Sequence, residues 1–311
     1  VIGGLIALQL LWTPVNLVVK GAIDDGTSPA AIALLRWSLF ALCLWTALGF
    51  PAYRRFAGVR WPNRKQAVAA AAIGACFIAP AHLLYYGGLG LTSSVEANVL
   101  LMTAPLFTAA LAWLVLREKV AIGRWVAIVL GFAGAYVVVS GFAAPSLSGA
   151  HTQGNLMFLL GVIVESLGMI LATDLVRRSS GVAILAFQVA GSVPTYVLGA
   201  TFLGFRMNPT GGPTWIAIAY LVLIAGMVCF AAWYRIVEKT PVSLMVLTLM
   251  VQPPVAALLG YVFRGEQLGF NLLIGSGVIF LGLFLGALDP KSSRSATLEV
   301  GNAQQNQHHK T

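Results

Sequence analysis

Charge is what this chain has least of. Only 9% of its 311 residues are Asp, Glu, Lys or Arg, against roughly 25% in soluble globular domains. So little charge cannot solvate so much apolar surface, and lipid is the expected solvent. Cysteine is nearly absent too. Cys43, Cys76 and Cys229 all lie inside apolar runs with no CxxC or metal-ligand spacing, so neither a disulfide framework nor a metal site is implied. There is no HExxH, no aspartate pair inside the apolar runs, no Gly-x-Ser-x-Gly and no phosphate-binding P-loop, which leaves hydrolase and nucleotide-driven chemistry without their usual residues. No cofactor is expected. The net charge of +9 sits in loops between apolar runs rather than on one face, so a nucleic-acid partner is not expected.

What the chain does have is apolar runs long enough to cross roughly 30 Å of hydrocarbon. They fall at 2–22, 29–49, 67–90, 95–117, 124–143, 155–176, 182–204, 215–237, 242–263 and 270–288. The fold class expected is an all-α integral membrane protein of ten transmembrane helices. Turn and stop residues separate the runs: Asp24-Asp25-Gly26, the basic stretch from Tyr53 to Gln66, and the segments 145–154, 177–181 and 208–213. The tail after Asp289-Pro290 is polar and expected to be disordered. The chain begins at Val1, and a native start is expected upstream of it.

The fourth and ninth runs match. With a constant offset of 148, Tyr86 falls on Tyr234, Thr92 on Thr240, Met102 on Met250, Pro105 on Pro253, Glu118 on Glu266 and Gly134 on Gly282. One gapless register over about fifty residues marks a duplicated unit. The expected division is a first five-helix repeat at 1–143, a linker at 144–154, a second repeat at 155–288 and a tail at 289–311. Lys and Arg number fifteen in loops after even-numbered helices plus the tail, and three in loops after odd-numbered ones. That asymmetry places both termini in the cytoplasm. Because five is odd, the repeats insert with opposite topology, an arrangement found in secondary transporters with a site near the midplane.

The proline-to-glutamate stretches PLFTAALAWLVLREK and PPVAALLGYVFRGE, with Trp12 in the first helix and Arg36 in the second, resemble EamA-type members of the drug/metabolite transporter superfamily. The resemblance covers about residues 1–288. It implies a monomer in the bacterial inner membrane, with helices five and ten at the periphery. It also implies a small-molecule substrate, an amino acid or other metabolite exported by alternating access. Proton-coupled efflux of drugs or cations is the other reading. Protons enter through Glu165, whose setting ESLG resembles the carboxylate region of the small multidrug resistance family. There the glutamate lies in the first helix, where this chain has Thr13.

Polar residues within apolar spans are costly, and each is a functional candidate. The first helix carries Gln9, Thr13, Asn16 and Lys20 on one stripe, read as cavity lining or as interhelical glue. Glu165 should lie near the midplane, where low dielectric disfavours the charged carboxylate and suits a group that binds and releases a proton. Arg36 and Glu96 are matched by depth, as a gate or a structural ion pair. His82 and Tyr85 share a face. Asn98 and Met102 line the fourth helix, Met169 follows Glu165 by one turn, and Gln188, Ser192, Thr195 and Gly199 form a stripe in helix seven. Pro105 and Pro253 remove a backbone donor at matching places and read as paired hinges. Phe230 and Trp233, with Trp12, Tyr85, Met102, Met250 and Gln252, are expected to wall an apolar cavity.

Overall fold

The computed structural model describes residues 2–116, 122–140, 149–208, 212–237, 248, 251–267 and 269–287. Among them every regular element is helical. Seven stretches are long and apolar enough to cross a membrane: Gly3–Asp24, Pro29–Gly49, Arg64–Leu91, Ser94–Val115, Ala150–Val176, Gly181–Leu203 and Thr214–Trp233. Two shorter apolar helices, Trp125–Val138 and Phe270–Leu285, accompany them. The expected ninth run and the linker lie partly outside the described residues, and the tail lies wholly outside them.

The first span is broken into α1 (Ile2–Trp12) and α2 (Val15–Asp24) at Thr13-Pro14, where proline lacks the donor to continue the ladder. Gly26, at φ 95°, turns the chain into α3 (Pro29–Gly49), started by Ser28 as N-cap with Pro29 next. A short α4 (Pro51–Phe56) leads to α5 (Arg64–Ile73), opened by a reciprocal Asn63–Gln66 capping box. Next comes a π-helical segment, Gly74–Ile78, and then α6 (Ala79–Leu91). Pro80 in the first turn of α6 has no N–H to return to Cys76, which accounts for the widened turn before it.

The fourth span splits into α7 (Ser94–Leu101) and α8 (Ala104–Leu116). Met102 and Thr103 donate to the carbonyls of Val99 and Leu100, a tightened i→i−3 pattern, and Pro105 sits in the first turn of α8. Then follow α9 (Ile122–Ser140), α10 (Ala150–Arg178) and α11 (Gly181–Leu203). The chain continues through α12 (Gly212–Ala219), a second π segment, Tyr220–Val228, and α13 (Cys229–Val237). It ends with α14 (Gln252–Arg264) and α15 (Phe270–Ala287). Pro253 opens α14 as Pro105 opens α8, directly after a break at Val251.

The most extensive packing joins α9 to α15, α6 to α10 and α3 to α11. Small residues permit it. A Cβ at Gly134 would stand 2.6 Å from the Gly275 carbonyl, and one at Gly74 would collide with that of Gln188. So α9 with α15, and the first π segment with α11, meet backbone to backbone.

Candidate functional site

Midway through the bundle, polar side chains gather inside an aromatic shell. Glu165 is one residue past the midpoint of α10. Its carboxylate accepts from the Tyr85 hydroxyl at 2.5 Å, and Tyr85 in turn packs on Phe158 with ring centroids 4.7 Å apart. One residue on, the Tyr86 hydroxyl accepts from Arg36. The Arg36 guanidinium also lies 4.8 Å over the Trp37 ring, a cation–π contact that partly replaces lost hydration. Arg36, Tyr85, Tyr86 and His82 are all buried.

The π segments shape this cluster by freeing carbonyls from the regular ladder. In the first, the Ala75 carbonyl accepts from Thr195 of α11 at 3.0 Å, and that of Ile78 meets His82 Nδ1 at 2.8 Å. A carbonyl only accepts, so Nδ1 holds the proton and Nε2 of a neutral ring is left as an acceptor. His82 packs against Trp37, Tyr85 and Tyr86. In the second π segment the Ala225 carbonyl accepts from the Trp12 indole at 3.2 Å. Trp12 stands edge-on to Phe230 and Trp233, at 5.3 and 5.5 Å, and Phe230 stacks on Phe40. Trp37 and Tyr196 lie parallel behind them, 6.3 Å apart.

Other expected residues are placed elsewhere. Thr13 and Asn98 are buried, but each donates to its own helix, to the carbonyls of Gln9 and Ser94. Gln252 donates to the buried Gln9 side chain, linking α14 to α1. Asn16, Met102 and Pro253 are buried, whereas Met169 is 54% exposed, and Met250 lies outside the described residues. Arg36 and Glu96 are not brought together. Equal depth put them at one level, but the structure turns them to different neighbours, Glu96 to Thr92, Asn155 and His151.

That second group belongs to an ionic clamp at the end of the bundle where α2, α7 and α14 meet. The Glu266 carboxylate accepts from the backbone N–H groups of Ser94 and Val95 and from the Ser94 hydroxyl, at 2.7–3.1 Å. It therefore caps the N-terminus of α7, where the helix dipole favours an anion. Arg264 reaches both Glu266 and Asp24, and Lys20 pairs with Asp24 at 3.6 Å. His151 was missed because it falls in the expected linker. Trp37, Tyr86 and Tyr196 were missed because aromatics in apolar runs read as packing; the adjacency of Trp37 to Arg36 was the available signal.

Comparison with known proteins gives one consistent picture. The description "EamA-like transporter family" matches residues 2–140 and 152–287. A probable terminal-alkyne amino-acid exporter of Streptantibioticus cattleyicolor is 26% identical, over 84% of each chain. An uncharacterized transporter of Archaeoglobus fulgidus is 24% identical, over 83% of this chain and 88% of its own. An uncharacterized inner membrane transporter, YedA, of Escherichia coli is 24% identical, over 92% and 90%. A solved crystal structure with 17% identity overlays 92% of this chain and 95% of its own with a TM-score of 0.64, and so shares its fold.

Proposed function

Because the chain belongs to the EamA-like transporter family, we propose that this multi-pass membrane protein exports amino acids or chemically similar small metabolites from the bacterial cytoplasm. It does so by alternating access of two inverted five-helix halves, 1–143 and 155–288, in the inner membrane with both termini cytoplasmic. Several pairings support the inverted repeat. The offset of 148 carries the π segment at 74–78 onto 222–226, inside the second one. It carries the break at Thr103 onto the break at Val251. The packed pairs α9 with α15 and α3 with α11 are each repeat mates. The family also matches in two stretches, one per half.

One observation carries the substrate reading. Arg36, buried, and Glu165, half-buried, lie in one cluster, each hydrogen-bonded to one of two consecutive tyrosines and not to the other. A cation and a carboxyl kept apart inside membrane spans are costly. They match a zwitterion whose carboxylate meets Arg36 and whose ammonium meets Glu165. When no substrate is present, a proton on Glu165 fills the second role, which couples proton entry to export. The amino-acid exporter among the relatives supports this class. The ring cluster of Trp12, Phe230 and Trp233 favours exchange of aromatic cations as the second reading.

Counterflow in proteoliposomes loaded with amino acids or cationic dyes tests both. Accumulation of a labelled amino acid against its own trapped pool, with a pH dependence lost in Glu165→Gln, is expected. Exchange of dyes alone rejects amino-acid export.

A further inference from the structure

The loop joining the second and third spans builds an open hollow whose lining shares no residue with the cluster around Glu165. Helix α4 is closed by bonds from the N–H groups of Ala57, Gly58 and Val59 to the carbonyls of Tyr53, Arg55 and Arg54. Gly58, at φ 60°, takes the left-handed conformation that ends a helix and folds the chain back. Arg54 and Arg55 on α4 and Arg60 on the returning segment thereby border one cavity of about 560 Å³. Pro51, Gly58, Val59 and Trp61 complete its lining.

Its frame is fixed. Arg60 and Ser180 are tied both ways: the Arg60 N–H donates to the Ser180 hydroxyl, and the Ser180 N–H to the Arg60 carbonyl. Arg60 Nη2 donates to the Ser179 carbonyl. Trp61 stacks on Trp45 at 6.0 Å and meets Phe187 edge-on. Tyr53 and Val59 pack onto the core. Its charge is not compensated, since no carboxylate forms an ion pair with Arg54, Arg55 or Arg60 among the described residues. Three arginines line it with Pro51, Val59 and Trp61, and planar guanidinium forks suit phosphate oxygens.

The surroundings choose between phosphate sources. Phe50 and Phe56 beside the cavity are 62% and 61% exposed, and Trp61 is 45% exposed. The loop also joins two membrane-length helices, where headgroups lie and aromatic residues anchor. We propose that this cavity binds the phosphate headgroup of an anionic phospholipid, with Arg54, Arg55 and Arg60 on the phosphate and Phe50 and Phe56 against glycerol and acyl carbons. The inference is independent of what the protein transports.

The full chain in a neutral detergent is titrated with phosphatidylglycerol, phosphatidylcholine or inorganic phosphate. Bound lipid is counted by native mass spectrometry and the unfolding midpoint followed in parallel. Phosphatidylglycerol is expected to bind and raise the midpoint where phosphatidylcholine does not. Arg54→Gln/Arg55→Gln is expected to weaken that binding ~10-fold or more while circular dichroism stays helical. The single Arg55→Gln, at an exposed side chain, gives a partial loss and guards against misfolding of the double variant. Lys65→Gln, an exposed cation outside the cavity, is expected to change nothing. Equal binding of phosphatidylcholine, equal loss in Lys65→Gln, or full binding by the double variant overturns the site. Inorganic phosphate matching phosphatidylglycerol overturns the lipid assignment and leaves these arginines to a free anion.

Discussion

Tyr85 holds Glu165. Its hydroxyl donates to the carboxylate across 2.5 Å, from α6 to α10, while the next residue, Tyr86, holds the opposite charge on Arg36. Two consecutive residues of one helix thus fix two opposite ionisable groups of the interior. Tyr85→Phe removes a hydrogen bond to a half-buried ionisable group, worth about 1.5–3 kcal/mol. Counterflow is expected to fall ~10-fold or more in any step that needs the carboxyl held in place. Flux unchanged from wild type would disconnect the pair from transport.

Arg36 is expected to act through geometry as well as charge. Arg36→Lys keeps the cation but loses the planar face over Trp37 and the fork that meets a carboxylate on two oxygens. The apparent KM for an amino-acid substrate should rise ~10-fold or more, with little change for a substrate whose carboxylate is an amide. Equal effects on both substrates would assign Arg36 to holding α3 against α6 alone.

Seven of the spans were legible in the sequence, because length and apolar content are one-dimensional properties. The partner of Arg36 was not. Depth matched it to Glu96, but only the direction around each helix decides contact, and α3 turns Arg36 toward Tyr86. Glu96 instead meets His151 and Asn155, from the start of a helix that the hydropathy pattern begins later. Gln9 and Gln252 each stood out as polar, yet nothing local pairs residues 243 apart in sequence.

Glu266 should hold one end of the bundle shut. Glu266→Gln keeps the side-chain shape but removes the anion from the α7 N-terminus and from Arg264, a loss of about 1 kcal/mol. Val95 contributes only its backbone to this clamp and is 1% exposed. With Cys43, Cys76 and Cys229 replaced by Ala, Val95→Cys is expected to react faster with a membrane-impermeant thiol reagent when combined with Glu266→Gln than without it. An unchanged rate would mean the clamp does not control access.

At Gly134, two effects oppose each other. Replacing glycine in a helix gains up to ~1 kcal/mol in propensity, but a side chain there meets the Gly275 carbonyl and Ile279 at 2.6 Å. Overpacking costs about 1–3 kcal/mol, so Gly134→Leu should lower the unfolding midpoint. Because the clash is between α9 and α15 and not at Glu165, substrate preference in counterflow should not change.

The π segment at 74–78 fits one residue more into its turn than an α-helix would. A residue advances the helix by about 100°, so everything beyond it in α6 is rotated by that much relative to an uninterrupted helix. If that turn relaxed to α with all its residues kept, His82, Tyr85 and Tyr86 would swing together by more than a quarter turn. Glu165 and Arg36 would lose their holders at once with no change to any side chain that touches them. The widened turn therefore sets whether this interior exists, and deleting one residue within it, which keeps the register beyond, should be milder than deleting one from the regular helix of α6.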